Sequence, residues 1–460
     1  MPGRSEAGAP RSAPGRFRRW LKPGIGVKRW LLVVFVGLLL LALGAAHVIR
    51  QLSQDLEPGG IEQAVIDLVT LQFLPFALRG LVVGGLGGAL VVIGAWRAVR
   101  NLTEPLRTDE QTPLADVIYQ KRFLARGPRI VAIGGGTGLS SLLRGLKEHT
   151  SNLTAIVTVA DDGGSSGALR EELGIPPVGD IRNCIAALAD AESLMSELLG
   201  YRFPGGTRID GGSIVAEPGG LGGHPIGNLL IAALTAMEDG DFEEGVRRMN
   251  GVLAMRGKVL PVSATPINLR ARTSDGVEVI GQSAIMRTPG IERVWIEPAD
   301  VQASDDALQA IGEADIVVLG PGSLFTSVLP VLLVPQIRRA VATARGIRVY
   351  ACNVATQRGE TEGFDLADHV EALAAHTQGD LVDLVIANDR FDGRDAPWPS
   401  DGVKPRWPPA VDPVPHLVTG GVASLADPHH HDPERLAAAI LRAIERDGST
   451  LRRERMARIA

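Results

Sequence analysis

One stretch limits what this chain can fold into more than any other: Arg129-Ile-Val-Ala-Ile-Gly-Gly-Gly-Thr-Gly-Leu-Ser-Ser-Leu-Leu-Arg-Gly-Leu146. A short apolar run breaks into glycines and resumes with helical spacing, so it reads as strand, anion loop and helix. Ile130 to Ile133 suits a strand buried on both faces, and Gly134, Gly135, Gly136 and Gly138 let the backbone approach a ligand closely. The amides of the new helix would then face an anion. Neither common nucleotide fingerprint is complete. A dinucleotide loop wants a third glycine where this chain has Leu139, and no Gly-Lys-Ser/Thr follows to make a Walker loop.

The N-terminal quarter has a different character. Residues 1–29 are rich in Pro, Gly and Ser and strongly basic, as expected of a disordered tail. Trp30–Ile49 carries no Asp, Glu, Lys or Arg and is long enough to cross a hydrocarbon core, and Gly80–Trp96 is a second, shorter apolar segment. Together they predict a two-helix transmembrane hairpin over 30–97, followed by a linker over 98–127 and a globular domain over 128–460. The tail and the segment after Trp96 are basic, whereas Asp55, Glu57, Glu62 and Asp67 make the connection acidic. Both ends are therefore expected on the cytoplasmic side of the cell membrane, with the bilayer as a partner. The rival reading is a signal peptide cleaved near Gly44-Ala45-Ala46. Gly80, Gly84 and Gly88 leave one helix face bare enough for close packing against the first span or a second copy, and a homo-oligomer is expected.

The formal net charge of −5 and the lack of a basic stripe in the globular part exclude a nucleic-acid footprint. Two cysteines, Cys184 and Cys352, make neither a disulfide framework nor a metal-type spacing. Beyond residue 128, short apolar runs alternate with amphipathic ones: strands are expected at Ile130–Ile133, Thr154–Val159, Val259–Val262, Ile316–Leu319, Arg348–Ala351 and Leu384–Ile386. Helices are expected between them, and Glu434–Ile444 forms a terminal one. This alternation predicts an α/β fold with a doubly wound, mostly parallel sheet. Ala264 to Glu297 reads as an antiparallel insertion, and the Pro- and Trp-rich Phe391–Val418 as a surface excursion.

Several strand exits carry chemistry. The second strand ends in Ala160-Asp161-Asp162-Gly-Gly-Ser165-Ser166, whose adjacent carboxylates could hold Mg²⁺, bind a sugar hydroxyl or accept a proton; an Asp-Gly turn explains them as well. Asp180 precedes an apolar helix as an N-cap would, with Arg182 as an anion ligand and Asn183 beside it. His224 and Asn228 are polar groups held among small residues at another helix start. Gly320-Pro321-Gly322-Ser323 and Cys352-Asn353-Val-Ala-Thr356-Gln357 are two further glycine-rich or polar strand exits. Four such loops in an alternating chain imply a nucleotide-sized site at the carboxyl ends of the strands.

Taken together, Gly134-Gly-Gly-Thr-Gly-Leu139, Val157 to Gly167, Gly179-Asp-Ile-Arg-Asn183, Gly223-His-Pro-Ile-Gly-Asn228, Arg256 to Pro261, Gly320 to Ser327 and Cys352-Asn353 with Thr356-Gln357 resemble the YvcK proteins, called gluconeogenesis factors. These are relatives of CofD, the 2-phospho-L-lactate transferase. The resemblance covers about residues 128 to 390. It implies a CofD-like three-layer α/β domain that binds a UDP-sugar such as UDP-N-acetylglucosamine. It also implies a role in cell shape and envelope precursor supply on gluconeogenic carbon sources. Thr137 matches a threonine implicated in nucleotide-sugar binding, and Asp161 and Asp162 match the acidic pair that in the transferases lies near acceptor and metal. His430 stands where the family carries a ligand-contacting arginine. The residues 205–220 segment, the Pro-Trp excursion and the membrane anchor depart from the shorter members. The alternative is a transferase moving a phospho-lactyl group from a nucleotide diphosphate donor to a deazaflavin alcohol, with Mg²⁺ and Asp161 or Asp162 assisting.

Overall fold

The computed structural model describes residues 123–459 apart from 191, 205–206, 211–212, 217–220, 254 and 392–401, together with positions 38, 39, 42, 75 and 78. The chain divides into two units, Met1–Arg122 and Phe123–Ala460. The basic tail, both expected spans and most of the linker lie outside the described residues. Among the described residues, no single helix is long and apolar enough to cross a membrane.

The second unit is built on seven parallel strands: β1 (Ile130–Gly134), β2 (Leu153–Val157), β5 (Lys258–Pro261), β9 (Ile316–Leu319), β10 (Ile347–Ala351), β11 (Leu384–Asn388) and β12 (His416–Gly420). Their order across the sheet is β12-β11-β10-β9-β1-β2-β5. The chain starts in the middle, winds outward through β2 and β5, then returns to the other side of β1. Every residue of β1, β9, β10 and β11 is buried, the condition of a sheet covered on both faces, which explains why these strands are continuous apolar runs. β1 pairs in register with both neighbours, Ile130 lying opposite Leu153 and Ile316.

Helix α1 (Gly136–Leu146) follows β1, α2 (Gly164–Leu173) follows β2, and α3 (Gly179–Leu188) packs beside α1. Helices α4 (Glu192–Gly200), α5 (Ile226–Met237) and α6 (Phe242–Val252) continue the chain, with the antiparallel hairpin β3 (Thr207–Asp210) and β4 (Ser213–Ala216) between the first two. The insertion is a three-stranded antiparallel sheet, β6 (Asn268–Thr273) between β7 (Glu278–Ile280) and β8 (Ile291–Glu297), carrying the one-turn helix α7 (Gln282–Ile285).

Two expectations need correction. The Phe391–Val418 excursion ends in β12, which adds an edge strand to the sheet by pairing His416 to Gly420 with Leu384 to Asn388. The terminal helix runs from Pro433 to Ile459, far beyond Ile444. Its charged second half is anchored by buried Leu451 and Arg455, the latter reaching Asp383 at 3.3 Å. Helix α2 begins Gly-Ser-Ser-Gly, a turn composition, and is carried by the helix-forming Ala-Leu-Arg-Glu-Glu-Leu that follows.

Candidate ligand site at the strand reversal

In a doubly wound sheet, the crevice where strand order reverses lies between the carboxyl ends of the two diverging strands. Here those strands are β1 and β9, and their exits are the two glycine loops. The loops touch. A Cβ on Gly138 would lie 2.7 Å from Pro321 O and 2.9 Å from the Gly322 Cα, so only glycine permits the approach. Gly136 sits at φ +66°, turning the chain into α1.

A cavity of about 420 Å³ opens at this point. Gly135, Gly136, Thr137, Gly138, Asp161, Asn183, Gly322, Ser323, Asn353 and His430 line it, so ten of the residues singled out from sequence come together. Asn353 clamps the loops: its Oδ1 accepts from Gly322 N at 3.0 Å and its Nδ2 donates to Gly322 O at 2.9 Å. Gln357 Nε2 donates to Ser323 Oγ at 2.8 Å. On the far rim, His430 is half exposed and its Nδ1 meets Asp427 Oδ2 at 2.7 Å. His431 is buried and donates from Nε2 to Cys352 O at 3.0 Å, which ties the histidine loop to the end of β10. Burial lowers the His431 imidazole to about 4, so the ring stays neutral.

The remaining sequence candidates lie elsewhere. Gly134 closes β1, and Gly320 sits behind it at φ +75°. Thr356 is buried outside the cavity lining. Asp162 turns away from Asp161 and accepts from Ser283 N at 2.8 Å, so it belongs to the insertion's contact with the sheet. His224 and Asn228 join Ser165 and Arg182 in a separate polar cluster.

The carboxylate that accompanies Asp161 is Asp180. It is not an N-cap, since Val178 occupies that position; it lies in the first turn of α3 and lines the cavity. A Cβ on Gly135 would fall 2.4 Å from its Oδ2. Burial first, then Asp161, raise Asp180 to about 6, against the Gly136 N–H and Arg182, which favour the charged form. Ser141, Gln282, Met286 and Gln357 also line the wall. Gln282 and Met286 reach the site through the insertion, which no local sequence signal announces.

A family profile described as 2-phospho-L-lactate transferase CofD matches residues 130–396. The chain belongs to the CofD family. Within that family it is similar to proteins named gluconeogenesis factor. The one from Bacillus subtilis is 47% identical over 266 residues, covering 58% of this chain and 80% of that one. A Halalkalibacterium halodurans relative of the same name is 47% identical over 260 residues, covering 56% and 77%. A crystal structure of a UPF0052-family protein from Bacillus halodurans superposes with a TM-score of 0.60 at 39% identity, covering 69% of this chain and 99% of that one. The CofD-family match spans β1 through β11 and so includes both glycine loops and the Asp161–Asp180 pair.

Proposed function

We propose that this CofD-family chain is a gluconeogenesis factor that binds a nucleotide sugar of the UDP-N-acetylglucosamine class in the β1/β9 crevice. It would act as a regulator of cell shape and envelope precursor supply rather than as an enzyme. The observation that carries the reading is the contact of the two glycine loops at Gly138 and Pro321-Gly322, which forms one wall of a cavity of about 420 Å³. A cavity of this size, lined by glycine-loop backbone and mostly polar side chains, suits a polar small-molecule ligand. Loop amides and the Thr137 and Ser323 hydroxyls suit a diphosphate, and Asp161 and Asn183 suit sugar or ribose hydroxyls. His430 offers a weaker contact than a guanidinium would, because its Nδ1 is taken by Asp427 and the one remaining ring nitrogen cannot make a bidentate pair.

Soaking crystals of the globular unit with UDP-N-acetylglucosamine tests the reading: ligand density against Thr137 and Ser323 supports it, and density elsewhere defeats it. The two apolar N-terminal segments would tether this domain to the cytoplasmic face of the cell membrane, as a homo-oligomer. Retention of the full chain in alkali-washed membranes is the corresponding check, and release into the wash would refute the tether.

A second reading, transfer of a phospho-lactyl group to a deazaflavin alcohol, is favoured by the family profile's description and by the Asp161–Asp180 pair. Mg²⁺ accepts one or two carboxylates with substrate phosphates completing its shell, and Asp161 and Asp180 fit that requirement. The cation would offset charge on the departing nucleotide phosphate, while the other carboxyl group could take the acceptor's hydroxyl proton. Absence of product from donor, acceptor and Mg²⁺ at micromolar enzyme removes it.

A further inference from the structure

Beside the cavity, and outside its lining, lies a basic cluster without a salt-bridged carboxylate among the described residues. Arg182, in α3, donates from Nη2 to Asn183 Oδ1 at 2.7 Å and from Nη1 to Asn228 Oδ1 at 3.2 Å. Its stem packs on Gly227, where a Cβ would fall 2.7 Å from Arg182 Cγ. The Arg182 contact fixes the Asn228 amide, so Nδ2 donates to Ser165 Oγ at 3.0 Å. Ser165 Oγ also meets His224 Nδ1 at 2.8 Å; with Ser165 as the donor, His224 presents its Nε2–H as a further donor. Arg202 is exposed and donates to Gly223 O at 2.6 Å, next to His224.

Two guanidinium groups are thus held by neutral oxygens. Among the described residues, neither has a carboxylate within 4.0 Å. Burial and the proximity of Arg202 both disfavour the charged form of Arg182, while Asp180 and Asp161 attract it from the cavity side. Two cations fixed near one another by hydrogen bonds that do not neutralise them are costly, unless an oxyanion completes the set. The donors are a half-buried fork, an exposed fork and an imidazole N–H. Coming from different elements, they suit a tetrahedral phosphoryl group better than a flat carboxylate.

We infer that Arg182, Arg202 and His224, braced by Ser165 and Asn228, form a second anion site that takes the phosphoryl group of a small phosphorylated metabolite, distinct from the cavity's ligand. None of these five residues lines the cavity; Asn183, which does, joins the two sites through its hydrogen bond with Arg182. Such a link makes the second anion a candidate effector or co-substrate of the first. The anion site itself does not depend on what the cavity binds.

The test titrates the full-length chain with inorganic phosphate, followed by ³¹P NMR line broadening, alone and with saturating UDP-N-acetylglucosamine. Saturable binding is expected, weakened about tenfold in Arg202→Gln and in Arg182→Gln, each of which removes charge-assisted hydrogen bonds. Arg202 is exposed, so Arg202→Gln tests the site even if Arg182→Gln does not fold. The nucleotide sugar should leave phosphate bound. Three results would each overturn the inference: no saturable phosphate binding, unchanged affinity in Arg202→Gln, or stoichiometric displacement of phosphate by the nucleotide sugar, which would make the two sites one.

Discussion

Replacing Gly138 with alanine should break the site at its narrowest point. The added methyl would meet Pro321 O at 2.7 Å, the Pro321 carbonyl carbon at 2.9 Å and the Gly322 Cα at 2.9 Å, all backbone atoms that no rotamer change can move aside. Reaching ordinary contact at 3.4 Å requires the two loops to part by about half an ångström or more, which a close-packed interior resists. The loops cannot part freely: Gly320 N donates to Ile133 O at 2.8 Å, and Asn353 holds Gly322 through two bonds. Overpacking of this kind costs about 1–3 kcal/mol, a fall of a few degrees in Tm for a domain of this size. Displacing the loop amides by that distance should weaken nucleotide-sugar binding by about tenfold or more. Thermal melts and calorimetric titration measure both. The matched control is Gly312→Ala, in the helix Asp305–Glu313, where a Cβ meets nothing within 4 Å. That variant should gain about 0.5–1 kcal/mol by its better helix propensity and bind normally. Wild-type Tm and affinity in Gly138→Ala would refute the reasoning, because the two exits could not then be in contact.

Asp180, raised from 3.8 to about 6, holds a proton in the folded state that the unfolded state has lost between those values. It therefore removes stability as pH rises through that window, about 3 kcal/mol at roughly 1.4 per pH unit, so Asp180→Asn should raise Tm at pH 7.5 and not at pH 4. His431 acts in the opposite sense: lowered from 6.5 to about 4, it removes stability as pH falls through nearly the same window. With Asp180 gone, Tm should therefore drop more steeply on acidification than in the wild type, and equal slopes would contradict the Asp180 assignment. Asp383→Ala should cost about 3 kcal/mol in urea unfolding, because it removes the carboxylate shared by buried Arg348 and Arg455 and leaves Arg348 paired to the partly exposed Asp380. A loss below about 1 kcal/mol would mean the cluster does not hold the terminal helix to the sheet.

What was legible in the sequence follows from local periodicity and glycine punctuation. Ile130 to Ile133 and Ile316 to Leu319 read as buried strands because both faces are covered, and their exits read as anion loops because glycine there has few other uses. The adjacency of those two strands was not legible, since they lie almost two hundred residues apart and only the reversal of strand order joins them. Asp180 was mistaken for a cap because an aspartate before an apolar helix looks the same whether its side chain faces an amide or a cavity. Pairing Asp161 with Asp162 followed from proximity in sequence, yet successive residues leaving a strand point apart, and Asp162 is drawn to Ser283. Gln282 and Met286 were invisible because an inserted sheet brings them to the cavity. Strand β12, with a half-exposed pattern after a proline-rich run, lacked the buried apolar signature of its neighbours.

Calorimetric titration of the full-length chain with UDP-N-acetylglucosamine, wild type beside Thr137→Val, bears most directly on a nucleotide-sugar site at the β1/β9 crevice. A few charge-assisted hydrogen bonds from loop amides and one hydroxyl predict saturable binding in the micromolar to sub-millimolar range, weakened about tenfold by loss of the hydroxyl. No saturation at millimolar ligand, or equal affinity in Thr137→Val, would contradict it.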